Sequence, residues 1–292
     1  MIRGHYRTVR RELRIRRRLA KRLHKIWQAD IVVVSHAKSG RTWLATMISH
    51  VYHQKYGIDE KKIIKFDNLH KLCKDIPKIY FTHDNRKFPD GQALAPVWLY
   101  ARSRVILLLR DPRDVAVSWY FHGQRKLRLG RRKRPTGAIY DFVIHTGLPG
   151  VLGFMERWAG HLERLDRCLV VRYEALRAHP EEELARVMAF IGGDFGPEII
   201  DKAVELATFE RLREREQSGF FESDRLHPGK AAEPETFKVR RGKVGGYRDY
   251  FTAEELARIE AMIDRPFVAQ LGYRPAPVRP QPEPVGDDHP AA

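Results

Sequence analysis

A short polar turn between an apolar run and an amphipathic segment holds the residues best suited to binding a phosphate group. Residues 31–52 read IVVVSHAKSGRTWLATMISHVY. Positions 35–42 follow the P-loop pattern G-x-x-x-x-G-K-[ST], with serine replacing the first glycine and arginine replacing the lysine. Gly40 lets the backbone approach a ligand closely, Thr42 can donate a hydroxyl, and Lys38 adds a charge. Without a lysine at the helix start, the turn favours a smaller anionic group than a metal-bound triphosphate.

A second basic turn follows another apolar run. The sequence VILLLRDPRDVAVSWYFH covers residues 105–122, and the guanidinium of Arg110 at the end of the run can bind two phosphate oxygens. Pro112 suits the first turn of a helix, and Ser118 lies on that helix, eight residues after Arg110. Taken alone, the sequence RDPRD is explained equally well by a helix-capping turn with paired charges.

One histidine occurs where a general base could act. His83 lies just past a predicted strand, in the sequence IYFTHD at residues 79–84. Histidine titrates near neutral pH and can accept a proton from a hydroxyl group. A loop histidine paired with Asp84 is the alternative interpretation, and His70 and Asp84 are reserve candidates for the base.

The segments that must position these residues alternate between strand-like and helix-like patterns. Strands that are apolar on both faces and separated by helices indicate an α/β fold, here a P-loop-like parallel sheet with helices on both faces. Ligands of such sheets bind at the carboxyl ends of the strands, where the candidate residues above are predicted to lie. We predict strands at residues 31–35, 78–82, 104–109 and 168–172, and helices at residues 42–56, 114–122, 152–165, 181–191 and 252–263.

The chain is predicted to form a single domain with a segment at each end. The domain covers residues 30–273, and within it residues 214–250 have weak periodicity and are predicted to form long loops. Residues 274–292 are rich in proline and are predicted to be disordered.

Residues 1–29 form a basic amphipathic segment with eleven Lys and Arg among its first 25 residues. Its apolar residues, which include Leu23 and Trp27, fall near one helical face. We expect this stripe to pack on the domain, because arginines surround it on all sides. The alternative is a peripheral contact of residues 1–28 with an anionic membrane surface.

Composition limits the classes of partner and the cellular location. The 292 residues include 54 Lys and Arg against 37 Asp and Glu, a formal net charge of +17 that favours an anionic partner. Cys73 and Cys168 lack metal-ligand spacing and are interpreted as buried thiols in a reducing compartment. No run approaches the roughly 20 apolar residues of a spanning helix, and residues 1–27 are too polar for a secretory signal. We therefore predict a cytoplasmic protein.

The first turn resembles a motif of a known family. HAKSGRTWL is similar to the 5′-phosphosulfate-binding loop of sulfotransferases, usually PKSGTTWL, whose donor is 3′-phosphoadenosine 5′-phosphosulfate (PAPS). The turn at Arg110 resembles the family's second signature, and VRRGKVGGYRDYFTAEEL at residues 239–256 is similar to its glycine-rich third segment. The resemblance covers roughly residues 30–273 and implies a PAPS-dependent sulfotransferase that uses PAPS as cosubstrate and no metal ion.

The resemblance also implies a role for individual residues. His83 matches the catalytic histidine of the family, and Lys38 matches the lysine at the bridging oxygen of the leaving phosphate. Ser118 matches the serine at the 3′-phosphate, and Trp43 and Phe209 match aromatic residues that hold adenine. The complete set implied to bind the donor is Lys38, Ser39, Gly40, Arg41, Thr42, Trp43, Arg110, Ser118, Tyr173, Thr208, Phe209, Arg240, Arg241 and Gly242.

Three departures from the family pattern concern the site. Phe81 stands two residues before His83, where the family's K-T-H sequence has a lysine. Arg41 replaces a common threonine and adds charge to the first turn. In the third segment, residues 246–248 read Gly-Tyr-Arg in place of Asp-Trp-Lys.

One further sequence pattern bears on the identity of the acceptor. Residues 125–134, RKLRLGRRKR, contain seven Lys and Arg and no acid. They are either a solvated surface loop or a groove for an anionic acceptor, such as an acidic glycan or a lipid headgroup, and they make small phenols less favoured. Two other functions stay open: a P-loop kinase-like enzyme that binds ATP, and a non-catalytic basic adaptor for nucleic acid or membrane. No specific nucleic-acid motif is visible.

Overall fold

Four parallel strands form the centre of the fold. The computed structural model describes residue 17 and residues 20–63, 69–84, 97–128, 137–222 and 242–275. Its strands are β1 (Ile31–Ser35), β2 (Ile79–Thr82), β3 (Arg104–Leu109) and β4 (Cys168–Arg172). They form one sheet in the order β2-β1-β3-β4, and every pair is parallel. The predicted strands are confirmed, with β2 beginning one residue later than expected.

The helices account for most of the remaining described residues. Residues 20–27 form α1, and the short turns are a π-helical turn at Val143–Gly147 and 3₁₀ turns at Glu60–Lys62, Val97–Leu99 and Gly246–Tyr250. The other helices are α2 (Arg41–Tyr56), α3 (Leu69–Leu72), α4 (Pro112–Arg128), α5 (Ile139–Phe142), α6 (Leu148–Leu162), α7 (Tyr173–Ala178), α8 (Pro180–Ile191), α9 (Pro197–Leu206), α10 (Phe209–Gln217), α11 (Ala253–Ile263) and α12 (Pro266–Gln270).

Both faces of the sheet are buried under helices, because alternate residues of each strand point to opposite sides. Ile31 and Val33 belong to a core cluster that also contains the inward faces of α2, α8 and α9. Val32 and Val34 belong to a second cluster with α6 and α12. The strands therefore read as continuous apolar runs, as buried parallel strands should. The predicted single-domain α/β fold with helices on both faces is confirmed.

Proline and aspartate set the start of the helix that follows β3. Pro112 occupies the first turn of α4, where its missing N–H leaves no bond unmade. The Asp111 side chain accepts a hydrogen bond from the backbone N–H of Arg113 at 2.9 Å, which caps the same turn. The helix therefore begins two residues before the predicted start at residue 114 and continues past residue 122 to Arg128.

The prediction of long loops throughout residues 214–250 was wrong at both ends. Residues 214–217 complete α10, and residues 246–250 form a 3₁₀ turn. Leu212 and Glu216 share the buried face of α10. The periodicity was hidden because one inward position of this helix is a glutamate. Residues 223–241 lie outside the described part of the chain.

The N-terminal helix packs on the domain through Leu23, as predicted, but with Ile26 in place of Trp27. Ile26 is buried in the second core cluster, with Leu23 packed against it. Trp27 is 45% exposed, and the guanidinium of Arg102 lies 4.2 Å from its ring centroid. The side chain of Arg22 donates a hydrogen bond to the hydroxyl of Thr82 at the end of β2. Residues 1–16 and the tail beyond residue 275 lie outside the described residues.

The cysteines also differ from expectation. Cys73 and Cys168 are both free, as predicted, but both are only partly buried where buried thiols were expected. Burial is still sufficient to raise the pKa of the Cys168 thiol to about 12. Among the described residues, no helix combines the length and apolar character needed to cross a bilayer.

Candidate functional site

Residues that follow all four strands meet at one cavity of about 310 Å³. The turn after β1 contributes Lys38, and the residue after β2 contributes His83. Arg110 follows β3, and Tyr173 follows β4. The cavity therefore lies at the carboxyl ends of the parallel strands, beside the point where the strand order changes direction between β1 and β3.

The turn between β1 and α2 is shaped by two left-handed residues. Lys38 has φ 77° and Gly40 has φ 94°. A Cβ atom at Gly40 would lie 2.5 Å from the Cδ2 atom of Tyr173, so only glycine fits beneath this ring. The carbonyl of Gly40 accepts from the N–H groups of Trp43 and Leu44 and so begins α2. The turn exposes backbone N–H groups and the positive end of the helix dipole toward the cavity.

The guanidinium of Arg110 joins the turn at Lys38 to the third basic segment, residues 239–256, which the structure describes from Gly242 onward. Its Nη1 donates to the Lys38 carbonyl at 3.3 Å, and its Nη2 donates to the Lys243 carbonyl at 3.2 Å. The plane of the group lies over the Tyr173 ring, with Cζ 4.3 Å from the ring centroid. The remaining nitrogen, Nε, is buried without a hydrogen-bond partner. A buried donor of this kind is costly unless a ligand accepts from it.

The third basic segment is held against α4 by a buried carboxylate. Asp114 accepts from the N–H of Gly245 through Oδ2 at 2.9 Å and from the N–H of Tyr247 through Oδ1 at 3.0 Å. Burial raises the pKa of Asp114, whereas the charge of Arg110, 3.7 Å away, lowers it. The Lys243 side chain pairs with Asp249 at 2.8 Å. These contacts bring Gly242 and Lys243 to the cavity wall.

Aromatic residues form a further part of the cavity wall. The Trp43 Nε1 donates to the Ala207 carbonyl at 2.8 Å, and its ring meets Tyr173 edge-on with the centroids 5.8 Å apart. The guanidinium of Arg177 lies 5.5 Å from the Trp43 centroid. Phe209, the first residue of α10, lies beside Gly242. Aromatic rings next to an arginine guanidinium group are suited to binding a purine ring.

The hydrogen-bond partners of His83 favour one tautomer of its ring. Its Nδ1 lies 3.1 Å from the carbonyl oxygen of Ser35 and 3.4 Å from the hydroxyl of Ser35. A carbonyl can only accept, so Nδ1 carries the proton, and Nε2 is the basic nitrogen of the neutral ring. The side chain lines the same cavity as Lys38.

Most of the site residues predicted from the sequence lie at this one cavity. Ser39 is buried in the turn and does not line the cavity, and neither does Thr208, which forms the N-cap of α10. Arg240 and Arg241 lie outside the described residues. The nominated residues that line the cavity are Lys38, Gly40, Arg41, Thr42, Trp43, His83, Arg110, Ser118, Tyr173, Phe209 and Gly242.

The two reserve candidates for the base are not at the cavity. His70 lines a separate cavity near the amino ends of β1 and β3, and its Nδ1 lies 2.6 Å from the carbonyl of Ile76. Asp84 is 2% exposed and is directed toward α6. Neither residue lines the cavity, and for Asp84 adjacency to His83 in sequence did not reveal the side of the turn on which its side chain lies.

Sequence reasoning missed several residues of the cavity wall. Asp114 and His122 lie on α4 at four-residue spacings from Arg110 and Ser118, and Arg177 lies four residues after Tyr173 on α7. Helical spacing from a residue already nominated could have identified these. Lys243 follows Gly242, and Leu212 requires the three-dimensional packing of α10. The described residues contain no group of three or more His, Cys, Asp or Glu that could hold a metal ion.

Comparison with known proteins agrees with this arrangement. A family model described as the sulfotransferase domain matches residues 28–271. Cytosolic sulfotransferase 16 of Arabidopsis thaliana is 28% identical over 261 residues, which cover 82% of this chain and 76% of that protein. Flavonol 3-sulfotransferase of Flaveria bidentis is 25% identical over 271 residues, which cover 85% of each chain.

Solved structures share the fold. Retinol dehydratase in complex with androsterone and the inactive cofactor PAP superposes with a TM-score of 0.60 at 21% identity, covering 85% of this chain and 84% of that one. Mouse sulfotransferase SULT7A1 complexed with PAP gives a TM-score of 0.58 at 21% identity, covering 84% and 87% of the two chains.

The match over most of the chain shows that the protein belongs to the sulfotransferase domain family. It is a PAPS-dependent sulfotransferase. The kinase-like and adaptor alternatives are therefore set aside.

Proposed function

We propose that the protein transfers a sulfuryl group from PAPS to a hydroxyl or amine by in-line displacement, with His83 as general base and Lys38 on the leaving phosphate. One observation carries the proposal. Lys38 and His83 line one cavity with Arg110, although they follow three different strands. A catalytic base, a cation for the leaving group and a phosphate-binding cation are thus available to a single ligand.

The cavity walls fit the two ends of the donor. Lys38, Arg41 and Thr42 would bind the 5′-phosphosulfate at the start of α2, where the helix dipole also favours an anion. The fit at the other end rests on Arg110, whose buried Nε has no protein partner and can donate to the 3′-phosphate. Ser118, on the facing side of α4, would contribute a hydroxyl.

The nucleoside would lie between these two ends. Trp43, Tyr173 and Phe209 all line the cavity, and each offers an aromatic face or edge to adenine. Burial raises the pKa of Tyr173, so its hydroxyl keeps its proton and donates to the Gly242 carbonyl at 3.4 Å. Arg240 and Arg241 are proposed to contact the 3′-phosphate on the basis of their sequence motif. Ser39 and Thr208 are proposed as backbone and base contacts respectively.

His83 would act through Nε2, since Nδ1–H is held by the Ser35 carbonyl. It accepts the proton of the acceptor hydroxyl while that oxygen forms a bond to sulfur. The bond between sulfur and the bridging oxygen breaks, and its electron pair leaves with the 5′-phosphate. Lys38 neutralises the charge that develops on this phosphate. Phe81, at the position where the family has a lysine, is buried in the core and supplies no positive charge. The positive charge is therefore supplied by Lys38 and Arg41 in the turn after β1.

Two classes of acceptor have separate support. The basic run at residues 125–134 favours an anionic acceptor, an acidic glycan or a lipid headgroup, although most of that run lies outside the described residues. The relatives favour small hydroxyl compounds, because one is named for flavonols. A screen with labelled PAPS against glycans, lipids and flavonols separates the classes. Charge-neutral substitution of residues 131–134 should weaken binding of an anionic acceptor and leave binding of a flavonol unchanged.

Donor binding is tested by titrating the protein with 3′,5′-adenosine bisphosphate, ATP and RNA without added metal. We expect the bisphosphate to raise the melting temperature most, because both of its phosphates have a site. Tight binding of ATP with no response to the bisphosphate would overturn the donor assignment.

The base is tested with His83→Ala and the matched variant His70→Ala. The first should lower turnover by about 10²–10⁴-fold while the affinity for 3′,5′-adenosine bisphosphate changes little. The second should retain turnover, since His70 lies near the amino ends of the strands, away from the cavity. Wild-type turnover in His83→Ala would remove His83 from the mechanism.

We also propose a cytosolic location, which is supported by relatives named as cytosolic sulfotransferases. The alternative, a peripheral contact of residues 1–28 with membranes, predicts that the full chain co-sediments with phosphatidylserine vesicles. Absence of co-sedimentation at physiological salt would support the cytosolic location.

A further inference from the structure

The residue that follows His83 is a buried carboxylate with an unusual backbone conformation. Asp84 is 2% exposed and has φ 41°, in the left-handed region that side chains other than glycine rarely adopt. Aspartate tolerates this region better than most residues, but the conformation still costs about 1 kcal/mol. Such a conformation persists when surrounding contacts hold it in place.

Helix α6 supplies those contacts through two consecutive residues. The Trp158 Nε1 donates to Oδ2 of Asp84 at 3.2 Å. The guanidinium of Arg157 donates from Nη2 to the Asp84 carbonyl at 2.9 Å, and its Nε lies 3.7 Å from Oδ2. Both the side chain and the backbone of Asp84 are therefore fixed to the same helix.

The hydroxyl of Thr82 adds an anchor on the other side of His83. It accepts from the N–H of Asp84 at 3.3 Å and also from the guanidinium of Arg22 on α1. The residues before and after the histidine are thus tied to each other and to the N-terminal helix. His83 is then the middle residue of a closed three-residue turn.

The charges around Asp84 are consistent with an anchoring carboxylate. Burial raises the pKa of Asp84 to about 6, and the nearby charges of Arg157 and Arg22 lower it. The carboxylate is directed at the indole of Trp158 and away from the cavity that His83 lines. Asp84 does not line that cavity, so we expect it to act through its neighbour His83.

We propose that Asp84 is a positioning residue for His83, with Arg157 as its partner. The Ser35 carbonyl can hold Nδ1 only while the backbone of His83 keeps the ring within hydrogen-bonding distance of it. The Asp84 contacts hold that backbone. This inference rests on the proposed role of His83, and it assigns a function to α1 through Arg22.

The test observes the His83 ring directly, so that no acceptor is needed. The full chain, labelled with ¹⁵N-histidine and saturated with 3′,5′-adenosine bisphosphate, is compared as wild type and Asp84→Asn. The signals of His83 are identified by their loss in His83→Gln. Wild type should show separate Nδ1 and Nε2 signals of one tautomer. Asp84→Asn removes the ion pair with Arg157 and so holds the turn less firmly. These signals should then move toward their mean, because the ring samples both tautomers.

Two further variants keep the test decisive. Arg157→Met removes that ion pair from α6 together with the hydrogen bond to the Asp84 carbonyl, so it should give the same or a larger change, also if Asp84→Asn fails to fold. Asp75→Asn removes an exposed carboxylate from the same region of the chain and should leave the His83 signals unchanged. Bisphosphate affinity should stay within about two-fold in all three, since none of these residues lines the cavity.

Unchanged His83 signals in both Asp84→Asn and Arg157→Met would overturn the positioning role. That failure is distinguishable from failure of the proposed function. If His83→Ala keeps turnover while Asp84→Asn alters the ring signals, Asp84 still positions the ring, and the base is another residue.

Discussion

The Nη1 atom of Arg110 lies 3.3 Å from the carbonyl oxygen of Lys38, and the Nη2 atom of the same guanidinium lies 3.2 Å from the carbonyl oxygen of Lys243. One side chain at the end of β3 therefore connects the turn after β1 with a segment more than a hundred residues later. The basic turns face one another because this group donates to their backbones. Its planar fork is suited to bridging two acceptors in fixed directions.

Arg110→Lys should weaken binding of 3′,5′-adenosine bisphosphate. A lysine keeps the charge but cannot reach both carbonyls and a phosphate at once, so at least one charge-assisted hydrogen bond is lost. We expect affinity to fall about 10–100-fold by isothermal titration calorimetry, which corresponds to about 1.4–2.8 kcal/mol. Arg186→Lys is the control, since Arg186 is exposed and pairs with Glu183. Equal affinity of Arg110→Lys and wild type would contradict the bridging role.

Gly40→Ala should reduce both stability and bisphosphate affinity. Its Cβ would meet the Tyr173 ring at 2.5 Å, and φ 94° is unfavourable for alanine. Gly57→Ala separates the two effects. Gly57 also has positive φ, at 64°, but a Cβ there would meet nothing within 4 Å. Urea unfolding should show a cost of about 1 kcal/mol for Gly57→Ala and a larger cost for Gly40→Ala, with affinity lost only in the latter. The two variants behaving alike would argue against a close contact with Tyr173.

Asp114→Asn should loosen the third basic segment. Both carboxylate oxygens accept backbone N–H groups, whereas an amide has one oxygen and would turn its NH₂ group toward the other donor. A buried donor left without a partner costs about 1–3 kcal/mol, which urea unfolding can measure. Asp194→Asn, at an exposed site, should cost much less. Hydrogen exchange should rise at Gly245 and Tyr247, and unchanged protection there would count against the clamp.

Stability should fall in mildly acidic solution because of His50. Burial, aided by the charge of Arg215, lowers the pKa of His50 to about 3. Glu60 lies 3.6 Å from Nδ1, but it already pairs with Arg215 at 2.6 Å. Since the folded-state pKa lies below the unfolded value near 6.5, the unfolded chain binds the extra proton. Stability contributed by neutral His50 is therefore lost as pH falls from about 6.5 toward 3.

Urea unfolding at pH 7, 6 and 5 measures this loss. Wild type should lose about 1–2 kcal/mol more than His50→Gln between pH 7 and 5. His36, whose pKa is lowered to about 4 mainly by burial, contributes in the same direction to both proteins. Asp84 contributes in the opposite direction, because its folded-state pKa of about 6 lies above its unfolded value. Parallel pH profiles for wild type and His50→Gln would show that His50 is not the source.

The strands were predictable because burial on both faces leaves a direct mark on composition. Ile31–Ser35 and Arg104–Leu109 are almost wholly apolar, and each is bounded by polar residues. Helix α10 was not predicted, and Glu216 occupies a buried position in it that the pattern assigns to an apolar residue. In α1, Ile26 faces the core and Trp27 does not. In so short a helix, periodicity cannot decide which of two adjacent residues faces the core.

The candidate site was predictable to the extent that it consists of local motifs. The turns at Lys38 and Arg110 each carry a recognisable sequence, and so does the sequence around His83. The links between them do not, because a backbone carbonyl such as that of Lys243 has no signature in a sequence. The same holds for Asp114, whose carboxylate reads as part of a charged turn although it binds the N–H groups of a distant segment.

The clamp between Asp114 and residues 245–247 has a consequence for the chain as it is synthesised. Strands β1, β2 and β3 and the first two basic turns are complete after about 120 residues, whereas the last wall of the cavity is translated more than a hundred residues later. The cavity therefore cannot be complete until residues 245–247 have been synthesised and have docked on Asp114.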